Sequence, residues 1–174
     1  MKLTKGMPDG RQQIVGLQFA PDFLGRPFAE TSEVGAEAAG TVRLCSFPKS
    51  ALEAMTREAP ELGRRLHAQA LRELDEAREW MMTLGRKTAA ERVASFLLLV
   101  ARHMDPEATE DASGVVRRVD LPLTRADIAD FLGLTIETVS RQITRLRKAG
   151  IIAVEGTRQV SVQDQAALEV AAGL

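Results

Sequence analysis

Glu137, Ser140 and Arg141 lie within five positions of one another, with Ile136 before them and Thr144 after them. At helical spacing these side chains share one outward face near a helix start. Their chemistry is that of reading base-pair edges. Arginine donates two parallel hydrogen bonds to guanine O6 and N7, glutamate accepts from cytosine N4, and serine is short enough to let a helix lie close. Thr124, Thr135, Thr138, Arg145, Lys148 and Arg158 surround that set with hydroxyls and cations. Such groups suit phosphate oxygens or groove walls, which set register without reading sequence. Between residues 135 and 158, five basic residues (Arg141, Arg145, Arg147, Lys148, Arg158) stand against two acidic ones (Glu137, Glu155), although the whole chain of 174 residues has a net charge of -1. A positive patch on an otherwise acidic molecule is compatible with binding phosphates by one face.

No other residue set carries chemistry of comparable specificity. A Ser, His and Asp arrangement, a paired-carboxylate site and a phosphate-binding glycine loop are all unrecognisable in this sequence, so an enzyme reading has no support. His67 and His103 stand on helical segments without neighbouring ligand types, and no metal site is expected. Trp80 is read as packing. Cys45, the single cysteine, is read as a small buried apolar residue, with a ligand role as the alternative. The apolar share of 45% and charged share of 27% are those of a globular protein. The longest apolar run, residues 96–101, is too short to cross a bilayer, and residues 1–5 lack the apolar stretch of a secretory signal. A cytoplasmic protein is expected.

The elements that must position the polar set read as a helix-turn-helix. Thr124 caps a first helix, with Asp127 three residues on placing a carboxylate at the positive helix end. Ile128, Ala129 and Leu132 form its inner face, and Gly133 supplies the conformation of a tight turn. Leu134 plugs the core, Thr135 caps the second helix, Val139, Ile143 and Leu146 fasten that helix from beneath, and Gly150 ends it. Residues 151–154 and 159–162 are two short β runs joined across residues 155–158, a hairpin wing.

Upstream, residues 12–19 and 41–47 read as strands, with a turn at Pro8, Asp9 and Gly10. So few strands for a freestanding sheet suggest that the natural domain begins before Met1. A short helix is expected from residue 49 to about 57 and a long one from about 60 to 84. In the long helix Leu62, Leu66, Ala70, Leu74, Ala77, Met81 and Leu84 recur every three or four residues, a stripe suited either to its own domain or to a coiled-coil seam with a second copy, and the seam is favoured. Gly85 is expected to separate it from a core helix over residues 88–103. Residues 105–114 read as a surface loop and 115–119 as a short strand.

The segment from Leu123 to Val162, above all Glu137, Thr138, Val139, Ser140 and Arg141, resembles the DNA-binding domain of the CRP/FNR family of bacterial transcription regulators. The resemblance covers nearly the whole chain and implies an α+β fold: a partial β-roll sensor domain (1–58), a dimerisation helix (59–86) and a winged helix-turn-helix DNA-binding domain (87–174). It implies a homodimer on a palindromic duplex with TTGA-like half-sites, read by Glu137, Ser140 and Arg141, and contact with RNA polymerase. The alternative is an interaction or dimerisation module without DNA binding. Ala20 to Gly25 and Cys45 to Pro48 resemble oxygen-responsive members, in which an iron-sulfur cluster is held by four cysteines. One cysteine holds no such cluster, so no cofactor is expected in this chain. Cys45 would be a ligand in a longer, oxygen- or redox-responsive parent. The cyclic-nucleotide branch is disfavoured, since Arg26 follows Gly25 where that branch has glutamate, and residues 34–39 contain no arginine.

Overall fold

The structure, a computed structural model, describes residues 1–26, 29–104, 118–121, 123–156 and 158–174. In chain order the elements are β1 (Lys2–Gly6), β2 (Gln12–Leu17), β3 (Gly35–Glu37), α1 (Lys49–Glu58), α2 (Pro60–Arg86), α3 (Ala89–Met104), β4 (Arg118–Asp120), α4 (Arg125–Leu132), α5 (Ile136–Lys148), β5 (Ile152–Glu155), β6 (Gln159–Val162) and α6 (Gln165–Ala171). They form two compact units, Met1–Met81 and Met82–Leu174.

In the first unit a small antiparallel sheet has the order β2-β1-β3. The turn signal at Pro8, Asp9 and Gly10 closes the β1–β2 hairpin, where the Met7 N–H donates to Arg11 O at 2.7 Å and Gly10 takes a φ of 86°. The segment after β2 is seated on α2 by side-chain amides. Gln69 mimics a strand neighbour: its Nε2 donates to Phe23 O at 2.9 Å, and its Oε1 accepts from Phe23 N–H at 2.9 Å. Gln18 Nε2 adds a bond to Glu73 Oε1 at 3.1 Å. Among the described residues of this unit, Ile14, Gln18 and Leu52 alone are buried.

Residues 41–47 do not form the expected strand; they are exposed and outside the sheet, and Cys45 is exposed rather than buried. Alternating polarity makes a strand where a ladder partner and a face to bury exist. Among the described residues no strand pairs with this segment.

The long helix α2 is braced on its solvent side by ion pairs of Glu61 with Arg64 (2.6 Å) and Arg65 (3.5 Å), and of Asp75 with Arg78 (3.1 Å). It runs through Gly85 to Arg86 rather than breaking at the glycine. The break is set by the next residues, because Thr88 and Glu91 form a reciprocal cap. The Thr88 N–H and hydroxyl both donate to Glu91 Oε2 at 2.7 Å, and the Glu91 N–H donates back to Thr88 Oγ1 at 3.4 Å. A Thr-x-x-Glu sequence of this kind is a local signature of a helix start.

The second unit is built around α3, whose Val93, Ala94, Phe96, Leu97, Leu98, Val100 and Ala101 are all buried. Helices α5 and α6 and strand β4 pack on it, and α4 packs on α5. Phe96 meets Phe131 of α4 edge to face, with ring centroids 6.1 Å apart. The wing forms as expected, in an antiparallel sheet of order β4-β6-β5. Of the strand expected over 115–119, residues 118 and 119 fall in β4; residues 115–117 and the loop expected over 105–114 lie outside the described residues.

Phe131 links α4 to the α3 core, so Phe131→Ala should cost about 3–5 kcal/mol of unfolding free energy. Urea denaturation followed by circular dichroism measures it, and a loss under about 1 kcal/mol would show that the ring contact does not hold α4 in place.

Candidate nucleic-acid interface

The helix-turn-helix is defined by its caps. Thr124 caps α4 in a reciprocal box: its N–H donates to Asp127 Oδ2 at 2.9 Å, while Asp127 N–H donates to Thr124 Oγ1 at 3.1 Å. Gly133 closes α4 at φ 61°, and its N–H and that of Leu134 turn back to the Ala129 carbonyl. A side chain at Gly133 would be strained by that left-handed backbone, although the space beside it is open. Thr135 then caps α5 by accepting from the Thr138 N–H at 3.2 Å.

Helix α5 is sharply two-faced. Val139, Ile143 and Leu146 are buried, as their spacing required. Thr124, Thr135, Glu137, Ser140, Arg141, Arg145, Lys148 and Arg158 are exposed, whereas Thr138, Thr144 and the expected core plug Leu134 are half-buried. An open groove along the outer face is lined by Ser140, Arg141, Thr144, Arg145 and Lys148, bringing base-reading and phosphate candidates onto one surface. Arg141 Nη2 lies 3.5 Å from Thr138 Oγ1, and Thr135 Oγ1 lies 3.1 Å from the same oxygen. These contacts link Thr135, Thr138 and Arg141 at the start of α5.

The electrostatics separate this surface from the other charged helix. On α2 the guanidinium groups of Arg64, Arg65 and Arg78 are satisfied by carboxylates one turn away. Among the described residues Arg141, Arg145, Lys148 and Arg158 have no carboxylate partner, which leaves their charge to an external anion. Glu137, at the start of α5, has its carboxyl held below the usual carboxylate range by its own backbone N–H and then by the Thr135 hydroxyl. It is an acceptor at neutral pH, as a cytosine reader must be.

Two features escaped the sequence reading. Arg125, the first residue of α4, is half-buried, and burial pushes its pKa down. Its place beside the Thr124 cap was the available signal. Helix α6 was not expected; Asp164 caps it by accepting from Ala167 N–H at 2.8 Å, and its buried Leu168 belongs to the face packed on α3. The Asp followed by Ala167, Leu168 and Ala171 at helical spacing carried that signal.

Residues 91–171 match the family model of the Crp-like helix-turn-helix domain. A probable transcriptional activator of Rhizobium leguminosarum bv. viciae is 60% identical over 169 residues, which are 97% of this chain and 68% of that relative. The chain belongs to the CRP/FNR family of transcription regulators. The CRP/FNR activator FnrL of Cereibacter sphaeroides is 46% identical over 98% of this chain and 68% of its own length. The solved structure of FixK2 from Bradyrhizobium japonicum superposes with a TM-score of 0.71 at 31% identity, covering 97% of this chain and 81% of that one. The CRP/FNR fold, mixed α+β with a long helix before a C-terminal helix-turn-helix, is the one observed, and membership assigns a regulator rather than an enzyme. No helix among the described residues is long and apolar enough to cross a membrane. A four-thiolate iron-sulfur cluster does not fit the residues present, which include one cysteine, exposed and without other ligand types clustered near it among the described residues.

Thr135→Ala removes the α5 cap and one of the groups that hold down the Glu137 pKa. It should lower stability by about 1 kcal/mol and move the Glu137 titration upward, toward its ordinary value. The sign follows from the depressed folded-state pKa: the ionised carboxylate's contribution is present above the unfolded pKa and is lost as pH falls through the lower folded one. Carbon-detected NMR titration of the Glu137 carboxyl reads the shift; an unmoved titration would remove Thr135 from the account.

Proposed function

We propose that this chain binds a palindromic duplex as a homodimer, inserting one α5 from each copy into successive major grooves. The observation that carries the DNA reading is the division of α5 into a buried apolar face and an outer face of donors whose cations have no carboxylate partner among the described residues. In this reading Arg141 donates to guanine O6 and N7, Glu137 accepts from cytosine N4, and Ser140 permits close approach. Thr124, Thr135, Thr138, Arg145, Lys148 and Arg158 contact phosphates or groove walls, with Arg125 beside them.

The dimer reading is supported by α2. Of its 27 residues Thr83 alone is buried, while Leu71, Leu74, Met81 and Met82 are exposed, Met81 at 73%. From the expected stripe Leu74, Ala70, Ala77 and Met81 are exposed, and Leu62, Leu66 and Leu84 are half-buried. A second α2 against this stripe would remove apolar surface that one copy leaves in water. By likeness to the probable transcriptional activator and to FnrL, the bound dimer raises transcription; contact with RNA polymerase, in the cytoplasm, is what the family resemblance adds to this reading. A parent supplying further thiolates would respond to oxygen or redox state, with Cys45 among the cluster ligands.

Fluorescence anisotropy tests the reading with a TTGAT-N4-ATCAA duplex against a scrambled one, at about 50 and 200 mM salt. Preference for the palindrome, with affinity falling steeply as salt rises, is expected. Dimerisation with no salt-dependent affinity for any duplex would instead make the chain an interaction module. Arg141→Ala should cost about 1–3 kcal/mol and relax preference at one base pair, whereas Lys148→Ala should weaken all sequences alike. Equal losses on specific and scrambled DNA for Arg141→Ala would remove its base-reading role.

A further inference from the structure

The chain turns from α2 into α3 over Lys87 and Thr88, and this junction is held at several points. Lys87 N–H continues the helical pattern to Thr83 O at 3.1 Å, Lys87 Nζ donates to Ser95 Oγ at 2.9 Å, and Thr88 is locked to Glu91. Arg92, in the first turn of α3, joins the junction to a distant point of the same unit. Its Nε donates to Lys87 O at 3.0 Å, and its Nη1 donates to Leu132 O at 3.2 Å. Leu132 is the last residue of α4 and directly precedes the Gly133 turn. One guanidinium thus spans the end of α2 and the turn of the helix-turn-helix.

The chemistry of the contact suits a fixed brace. Carbonyls in the last turn of a helix lack helical donors and lie at its negative end, so a cation there satisfies both needs. The N–H groups of Gly133 and Leu134 are committed to Ala129 and Asp130, leaving the Leu132 carbonyl to Arg92. A planar guanidinium holds two acceptors at a set separation, which the single ammonium of lysine does not.

We infer that Arg92 is a positioning residue for DNA binding: through the Leu132 carbonyl it sets the angle at which the end of α2 carries the helix-turn-helix. In a homodimer joined through α2 that angle sets the separation of the two recognition helices, and the inference rests on the dimer reading above.

The test uses the full chain, with wild type, Arg92→Lys and Arg92→Gln. Affinities are measured for a duplex with a single half-site and for palindromes whose half-sites are separated by four base pairs, by one fewer and by one more. Thermal unfolding is followed in parallel. Wild type should favour one separation; both variants should keep half-site affinity within about twofold while that preference falls about tenfold, the worth of one charge-assisted hydrogen bond. Parallel losses on half-site and palindrome, or loss of cooperative unfolding in both variants, would make Arg92 a residue of the fold alone and overturn the inference. So would a spacing preference that the variants retain. A wild type that binds every separation no better than the half-site would overturn the dimer reading itself, and with it this inference.

Discussion

The burial of Val139, Ile143 and Leu146 is the constraint on which the rest of the DNA-binding unit depends. A short isolated helix is marginal in water, and α5 carries many cations on its free face. It holds its place because its apolar edge is packed on α3 and α4, and α3 is buried along most of its inward surface. Once that edge is fastened, helical periodicity leaves Glu137, Ser140 and Arg141 no direction but outward. The caps at Thr124 and Thr135 and the left-handed Gly133 then fix where α5 begins, and so which residues stand at its exposed N-terminal end.

Charge is distributed by the same logic. Arg64, Arg65 and Arg78 on α2 lie one turn from Glu61 or Asp75, and each pair is an exposed contact of little energetic weight. On α5 the cations gather in the last turn, where the helix dipole favours them and no acid within the described residues neutralises them. The first arrangement neutralises charge within the helix; the second leaves charge on its surface. A net charge of -1 conceals this difference.

The two units differ in what holds them. The second has a continuous core from α3 through α4 and α5 to the wing and α6. The first buries little and is tied together by polar contacts, the paired hydrogen bonds between Gln69 and Phe23 and the bond from Gln18 to Glu73. Helix α2 takes part in both, since the unit boundary falls between Met81 and Met82 inside it.

Much of the helix-turn-helix was legible in the sequence because its determinants are local: caps three residues from what they bind, a glycine where the turn requires one, and an apolar period of three and four. The capping box at Thr88 and Glu91 is equally local and agrees with the helix start expected at residue 88, and the Asp164 cap of α6 is a local signal of the same kind. The strand expected at residues 41–47 failed, since alternation describes a side-chain pattern while a strand also needs a partner, which is a non-local fact. The amino-acid sequence by itself determined which residues α5 would offer and the order of the elements that carry them. Only the tertiary structure decided that Arg92 would reach Leu132 across forty positions and that Gln69 would take Phe23 as its neighbour, because such contacts depend on how helices pack rather than on spacing along the chain.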